Sequence, residues 1–186
     1  VGGLPGQRLH DAPRACCDEG KRAAETLASD YARQFAVDTR IARIFNTHGP
    51  RMCADGVRVV SNFFVQALRG EPTTVYGGGT QTRSCSYVDD PVDGLLRLMD
   101  APAAPDPVNL GNPEVVTVLE LARHIIALVG RSEVVQRPLP EDDPSRRCPD
   151  ITRARAMLGW QPRVSLDEGL RRSLPAFVAA TTNPGR

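Results

Sequence analysis

Asp38-Thr-Arg-Ile-Ala-Arg-Ile-Phe-Asn-Thr-His-Gly-Pro-Arg-Met-Cys-Ala-Asp-Gly-Val-Arg58 is the stretch whose reading decides the fold. The apolar run Ile41 to Phe45 fits a strand buried on both faces, hence a parallel one, and Gly49-Pro50 breaks the chain into a polar loop directly after it. In open parallel sheets ligands bind beyond the carboxyl ends of the strands, so Asn46, Thr47, His48 and Arg51 emerge where a ligand is expected. Upstream, Asp18 to Phe35 is built of good helix formers, with Ala24, Leu27, Ala28, Tyr31 and Phe35 at helical spacing. A helix leading into a parallel strand makes the class α/β.

Composition bounds the rest. The 186 residues suffice for one domain with a sizeable core, and 41% hydrophobic content is that of an ordinary globular protein. Net charge is +1, from 23 basic and 22 acidic residues, so no long-range field recruits nucleic acid or an anionic membrane. Any anion is held by local arginines. No apolar run approaches the roughly 20 residues of a membrane span, and Val1 to Ala12 lacks the order of a signal peptide, so a soluble, cytoplasmic protein is expected. Cys16, Cys17, Cys53, Cys85 and Cys148 form no CxxC pair, and the three histidines lack zinc-site spacing, so no metal site is expected.

In chain order, residues 1–12 read as loop. After the central stretch, Val59 to Arg69 is an amphipathic helix stopped by Gly70, and Thr73 to Tyr76 and Thr82 to Val88 are β-type runs of one small sheet, either side of Gly77-Gly-Gly79. Asp89-Asp-Pro91 caps a helix to Met99, Val108 to Gly111 is a strand, and Thr117-Val-Leu-Glu120 is a capping box opening a helix to Val129. His124 lies on that helix without a partner and reads as structural. Val134 to Leu139 is a further strand, Thr152 to Leu158 a helix, and Trp160 packs inward. Ser165-Leu-Asp-Glu168 opens a last helix to about Val178, and Thr181 to Arg186 fray.

Four segments carry a resemblance: Pro13-Arg-Ala-Cys-Cys-Asp-Glu-Gly-Lys-Arg22, Ala42-Arg-Ile-Phe-Asn-Thr-His-Gly-Pro-Arg-Met52, Arg58-Val-Val-Ser-Asn-Phe63 and Asp142-Asp-Pro-Ser-Arg-Arg-Cys-Pro-Asp150. Together they resemble the carboxyl-terminal half of a UDP-glucuronate decarboxylase, one of the extended short-chain dehydrogenase/reductases. The resemblance implies a Rossmann-type remnant over residues 13–70, a small α+β substrate-binding region over residues 71–180, a UDP-sugar ligand and a homodimer formed through the first helix. It also implies NAD, which takes a hydride from sugar C4 so that the β-keto acid loses its carboxylate as CO2. The complete NAD site is not expected here, since no Gly-x-x-Gly-x-x-Gly turn follows a strand.

Residue by residue, Lys21 resembles the lysine of the family's Tyr-x-x-x-Lys segment and is the only lysine among the 23 basic residues. Cys17 stands at the tyrosine position, four residues away and on the same helix face. A thiol is much shorter than a phenol, and general-base work needs heavy atoms within about 3 Å, so Cys17 is a poor replacement. Asn46 and Asn62 resemble contacts to the sugar-nucleotide, and Thr47 and Arg58 resemble positions near the dinucleotide. Tyr76 packs on uracil, or is a half-buried strand aromatic. Arg83 and Arg147 resemble the pair that grips the diphosphate, a task suited to planar guanidinium groups. His48 replaces an aromatic, and Cys53 a polar residue. Two other functions fit the same residues: a non-catalytic nucleotide-sugar-binding or dimerisation module, and a fragment of a nucleotide-sugar 4-epimerase or 4,6-dehydratase.

Overall fold

The structure, a computed structural model, describes residues 15–56, 58–102, 106–139 and 148–182, with Ala15 and Cys17 described by backbone alone. In chain order the elements are α1 (Ala15–Phe35), β1 (Ala42–Ile44), β2 (Thr47–His48), α2 (Val59–Arg69), β3 (Thr73–Tyr76), β4 (Thr82–Ser84) and β5 (Ser86–Tyr87). They continue with α3 (Asp89–Asp100), β6 (Val108–Leu110), β7 (Val115–Thr117), α4 (Val118–Val129), β8 (Val134–Arg137), α5 (Thr152–Leu158) and α6 (Leu166–Thr182).

The central strand is parallel, as expected: β1 pairs with β6 in the register Ala42↔Val108 to Ile44↔Leu110. It is not buried on both faces. Arg43 is exposed and Ile44 is 50% exposed, because β6 is its one neighbour among the described residues and its other edge is open. The turn at residues 36–41 sends β1 back along α1, and Arg43 donates two bonds of 2.7 and 2.6 Å to the Glu25 carboxylate. That bond holds Glu25 below the usual carboxylate range, against the opposing effect of burial.

The run Thr82 to Val88 is two strands rather than one. At buried Cys85 the chain changes partner, so that β4 pairs antiparallel with β7 and β5 pairs parallel with β2. Nor do β3 and β4 share a sheet across the glycines, since β3 pairs in parallel with β8. Asp90 does not cap α3: its carboxylate accepts from the Arg163 and Val164 backbone N–H groups at 3.0 and 3.1 Å, and its carbonyl accepts from the Trp160 indole at 2.9 Å. A long-range turn thus takes the acceptor that the local pattern assigned to the helix. His124 has a partner, Asp167, at 2.6 Å, which ties α4 to α6. Residues 181–182 do not fray but end α6, with the Thr181 hydroxyl donating to the Phe177 carbonyl at 2.8 Å.

Other expectations match. The Thr117–Glu120 capping box is complete, and Gly70, Gly130 and Gly159 close α2, α4 and α5 in the left-handed conformation. Residues 1–12, 140–147 and 183–186 lie outside the described residues.

Two apolar clusters organise the elements. The larger joins α2, α4, α6 and β3 through Phe63, Phe64, Leu121, Ile125, Leu170 and Phe177. The smaller joins α3, α5 and β6 through Leu98, Val108, Leu110, Ala154 and Trp160. Phe64 is fully buried and stacks on Phe177 with ring centroids 4.7 Å apart. Phe64→Ala removes the stacked ring and leaves a cavity, so it lowers the unfolding free energy by about 3–5 kcal/mol. Denaturant titration checks this, with exposed Leu96→Ala as the control that shifts the midpoint by less than about 0.5 kcal/mol.

Candidate functional site

The carboxyl end of β1 gathers several of the nominated side chains. On α1, the Glu25 carboxylate meets the Arg43 guanidinium of β1. Lys21 is exposed on the same helix, one turn before Glu25. Cys17 lies a further turn back on α1, and its side chain lies outside the described residues.

Asn46 is held from two sides: its amide donates to the Ser84 carbonyl at 3.2 Å, and its carbonyl accepts from the Ser86 N–H at 2.9 Å. Arg83 precedes Ser84 on β4, so Asn46 and Arg83 share one corner of the molecule. The Arg83 guanidinium donates to the Thr82 carbonyl at 2.9 Å. Burial pushes the neighbouring Cys85 thiol up to about 11, and the positive charge of Arg83 pulls slightly the other way. Cys85 is therefore a protonated, unreactive packing group at neutral pH. Thr47 stands between Asn46 and His48, with its hydroxyl donating to the Phe45 carbonyl at 3.0 Å and its Cα paired with Ser86.

The remaining nominees lie on other elements. Arg58 is exposed immediately before α2, where its carbonyl accepts from the Asn62 N–H at 2.9 Å. Asn62 is exposed and lines an open cavity of about 260 Å³ with Asp55, Gln66, Arg69 and Glu71, and none of Asn46, Tyr76 or Arg83 lines it. Tyr76 ends β3, is 47% exposed, and accepts at its carbonyl from Gln81. Arg147 lies outside the described residues.

Sequence reasoning missed the part played by His48. It is buried, with Nδ1 3.2 Å from the Ser173 hydroxyl of α6 and its ring edge-on to Tyr87 at a centroid distance of 5.9 Å. Burial lowers its pKa from 6.5 to about 4. The signal available was the resemblance, in which His48 stands in place of an aromatic.

A nicotinamide dinucleotide needs a cradle for its pyrophosphate, and no Gly-x-x-Gly-x-x-Gly turn joins a strand to a helix among the described residues. Gly79 does not serve, because it joins β3 to β4 and a Cβ there would lie 2.7 Å from Val75 and 2.8 Å from Leu119. Its role is close packing. The described residues alone do not fit the whole dinucleotide. No helix among them is long and apolar enough to cross a membrane.

Comparison with known proteins supplies the context. The family described as GDP-mannose 4,6 dehydratase matches residues 8–173. UDP-glucuronic acid decarboxylase 2 of Arabidopsis thaliana is 57% identical over 158 residues, which cover 84% of this chain and 35% of that protein. UDP-glucuronic acid decarboxylase 1 of Danio rerio is 54% identical over 166 residues, covering 89% of this chain and 40% of its own length. The chain therefore spans less than half the length of these relatives. Among solved structures, a UDP-glucose 4-epimerase of Thermotoga maritima with UDP-glucose is 32% identical with a TM-score of 0.80, covering 84% of this chain and 51% of its own. A UDP-glucuronic acid 4-epimerase of Bacillus cereus in complex with UDP-glucuronic acid and NAD is 26% identical with a TM-score of 0.81, covering 95% and 57%. The fold is that of the Rossmann-type epimerases and dehydratases.

The state of His48 has a consequence in solution. Its pKa is lower folded than unfolded, so the unfolded chain takes up the proton first as pH falls. Stability from this group is complete above about pH 6.5 and is lost as pH falls toward 4, with a slope approaching about 1.4 kcal/mol per pH unit. Urea unfolding at pH 7 and pH 5 measures the loss, and His48→Phe narrows the gap between the two midpoints.

Proposed function

The chain belongs to the GDP-mannose 4,6 dehydratase family, and from that membership we propose that it provides the sugar-nucleotide side of a UDP-glucuronate decarboxylase. The observation that carries this reading is the identity of more than half of the matched residues to UDP-glucuronic acid decarboxylases, over a span that includes the Asn46 and Arg83 corner. In this reading Arg83 on β4 and Arg147 grip the diphosphate through paired N–H donors, Asn46 and Asn62 contact the sugar-nucleotide, and Tyr76 offers its half-exposed ring to the uracil. Lys21, Thr47 and Arg58 lie toward a dinucleotide whose pyrophosphate is held by residues other than those described. When bound, NAD supplies the hydride acceptor and donor that conversion of UDP-glucuronate to UDP-xylose requires. The part of this chain's own residues is to bind and orient the sugar.

One observation favours a second reading, a non-catalytic module that binds a nucleotide-sugar. Cys17 stands at the family's tyrosine position on α1, where a thiol falls short of a substrate hydroxyl that a phenol reaches. Titration calorimetry with UDP, UDP-glucuronate and NAD separates the readings. Binding of the two uridine nucleotides without NAD, and no gain of decarboxylation with Cys17→Tyr, favours the module. Arg83→Ala and Arg147→Ala each weaken UDP binding by about 10-fold or more, the loss of a hydrogen bond to a charged group. Unchanged UDP affinity in both variants overturns the diphosphate assignment.

We also propose α1 as a homodimer surface. Leu27, Tyr31 and Phe35, spaced four residues apart, are 59%, 56% and 64% exposed, an apolar stripe on an otherwise polar helix. Sedimentation velocity of the chain gives a dimer, and Tyr31→Glu gives a monomer with unchanged helix content. A monomeric wild type rejects the surface.

A further inference from the structure

His48 is buried, lies 125 residues from Ser173 in sequence, and meets α6 at two residues, Ser173 and Gly169. The Ser173 hydroxyl donates to the Gly169 carbonyl at 2.7 Å. A hydroxyl has one proton, so toward His48 it accepts, and Nδ1 carries the hydrogen of the 3.2 Å contact. The imidazole is thereby fixed as the Nδ1–H tautomer, which leaves Nε2 buried without a partner. Gly169 accommodates that edge of the ring: a Cβ there would lie 2.8 Å from Cε1 and 3.2 Å from Nε2. On its other side the ring meets Tyr87, over which the Arg172 guanidinium sits at 5.6 Å.

We propose that His48 is a positioning residue, which through its bond to Ser173 of α6 clamps β2 against β5 and so fixes the peptide that presents Asn46 and Thr47. The backbone gives the route. Asn46 and His48 accept at their carbonyls from the Ser86 and Val88 N–H groups, both at 2.9 Å, and these bonds are the ladder between β2 and β5. Two residues of strand make a weak ladder by themselves. A side-chain bond to a helix that is itself packed into the larger core supplies the missing anchor. The value of this clamp for ligand binding rests on the reading of the Asn46 corner as a UDP-sugar site, whereas the clamp itself is measurable without ligand.

Amide hydrogen exchange reads it directly. In Ser173→Ala the Ser86 and Val88 amides exchange at least about 5-fold faster, the equivalent of one ordinary hydrogen bond lost, while the α4 amides keep their wild-type rates. His48→Asn places an amide donor where Nδ1 stands and His48→Gln places it where Nε2 stands, so with Ser173 present protection is kept in the first and lost in the second. Nitrogen-15 spectra of the wild-type imidazole show Nδ1 protonated and Nε2 bare. Equal acceleration at Ser86, Val88 and α4 in Ser173→Ala, or an Nε2–H tautomer, overturns the proposal. UDP-glucuronate titrated into Ser173→Ala binds about 5-fold more weakly than into wild type by the same measure. If the wild type binds none, the nucleotide-sugar reading fails while the exchange result still decides the clamp.

Discussion

The burial of α2 is the constraint on which the remaining geometry depends. Val60, Ser61, Phe63, Phe64, Val65 and Ala67 are all buried, so α2 is enclosed around most of its circumference instead of along one stripe. A helix enclosed in that way cannot rotate or slide without opening the larger core. Its first turn also holds the loop that precedes it, since the Ser61 hydroxyl has the Gly56 and Arg58 carbonyls within reach of its one proton, at 3.1 and 3.0 Å. The polar loop after β2 is therefore fixed at its far end by packing and at its near end by the β2–β5 ladder.

The two apolar clusters divide the labour. The smaller one seats β6, and through it β1, so it sets where the peptide leaves the sheet. The larger one seats α6, whose Gly169 and Ser173 reach back to His48. Asp90 links the two regions from within, as its carboxylate binds the backbone that leads from Trp160 toward α6. At 6% exposure each oxygen of the Asp90 side chain accepts one backbone N–H, the condition under which burial of a polar group is tolerated.

What the sequence disclosed follows the range of the interaction involved. The helices, the Thr117–Glu120 capping box and the helix-ending Gly70 and Gly130 were legible because each is decided within a few residues. The strand partners were not, because Thr82 to Tyr87 has a uniform β-type composition and its change of partner at Cys85 depends on β2 and β7, which lie far along the chain. Asp90 misled for the same reason: an aspartate before a helix is a cap by local rule, and the competing donors are more than seventy residues away. At the candidate site, Asn46 and Arg83 were legible only through the resemblance, each by itself. Their common corner was not, since it is made by a backbone carbonyl, that of Ser84, and backbone groups leave no trace in a residue pattern.

The choice of an imidazole at position 48 separates stability from placement. The Ser173 bond contributes on the order of 1 kcal/mol, while a buried nitrogen without a partner costs about 1–3 kcal/mol, so the ring is no gain over an apolar one of similar size. A phenyl ring in the same space packs against Tyr87 and Gly169 and is free of the orphaned nitrogen. It has no directed bond to α6, however. His48 thus adds direction where an apolar ring adds only volume, at the residue that joins the Asn46 strand to the polar loop. Precision in a binding site is set by such supports rather than by the contacting residues alone.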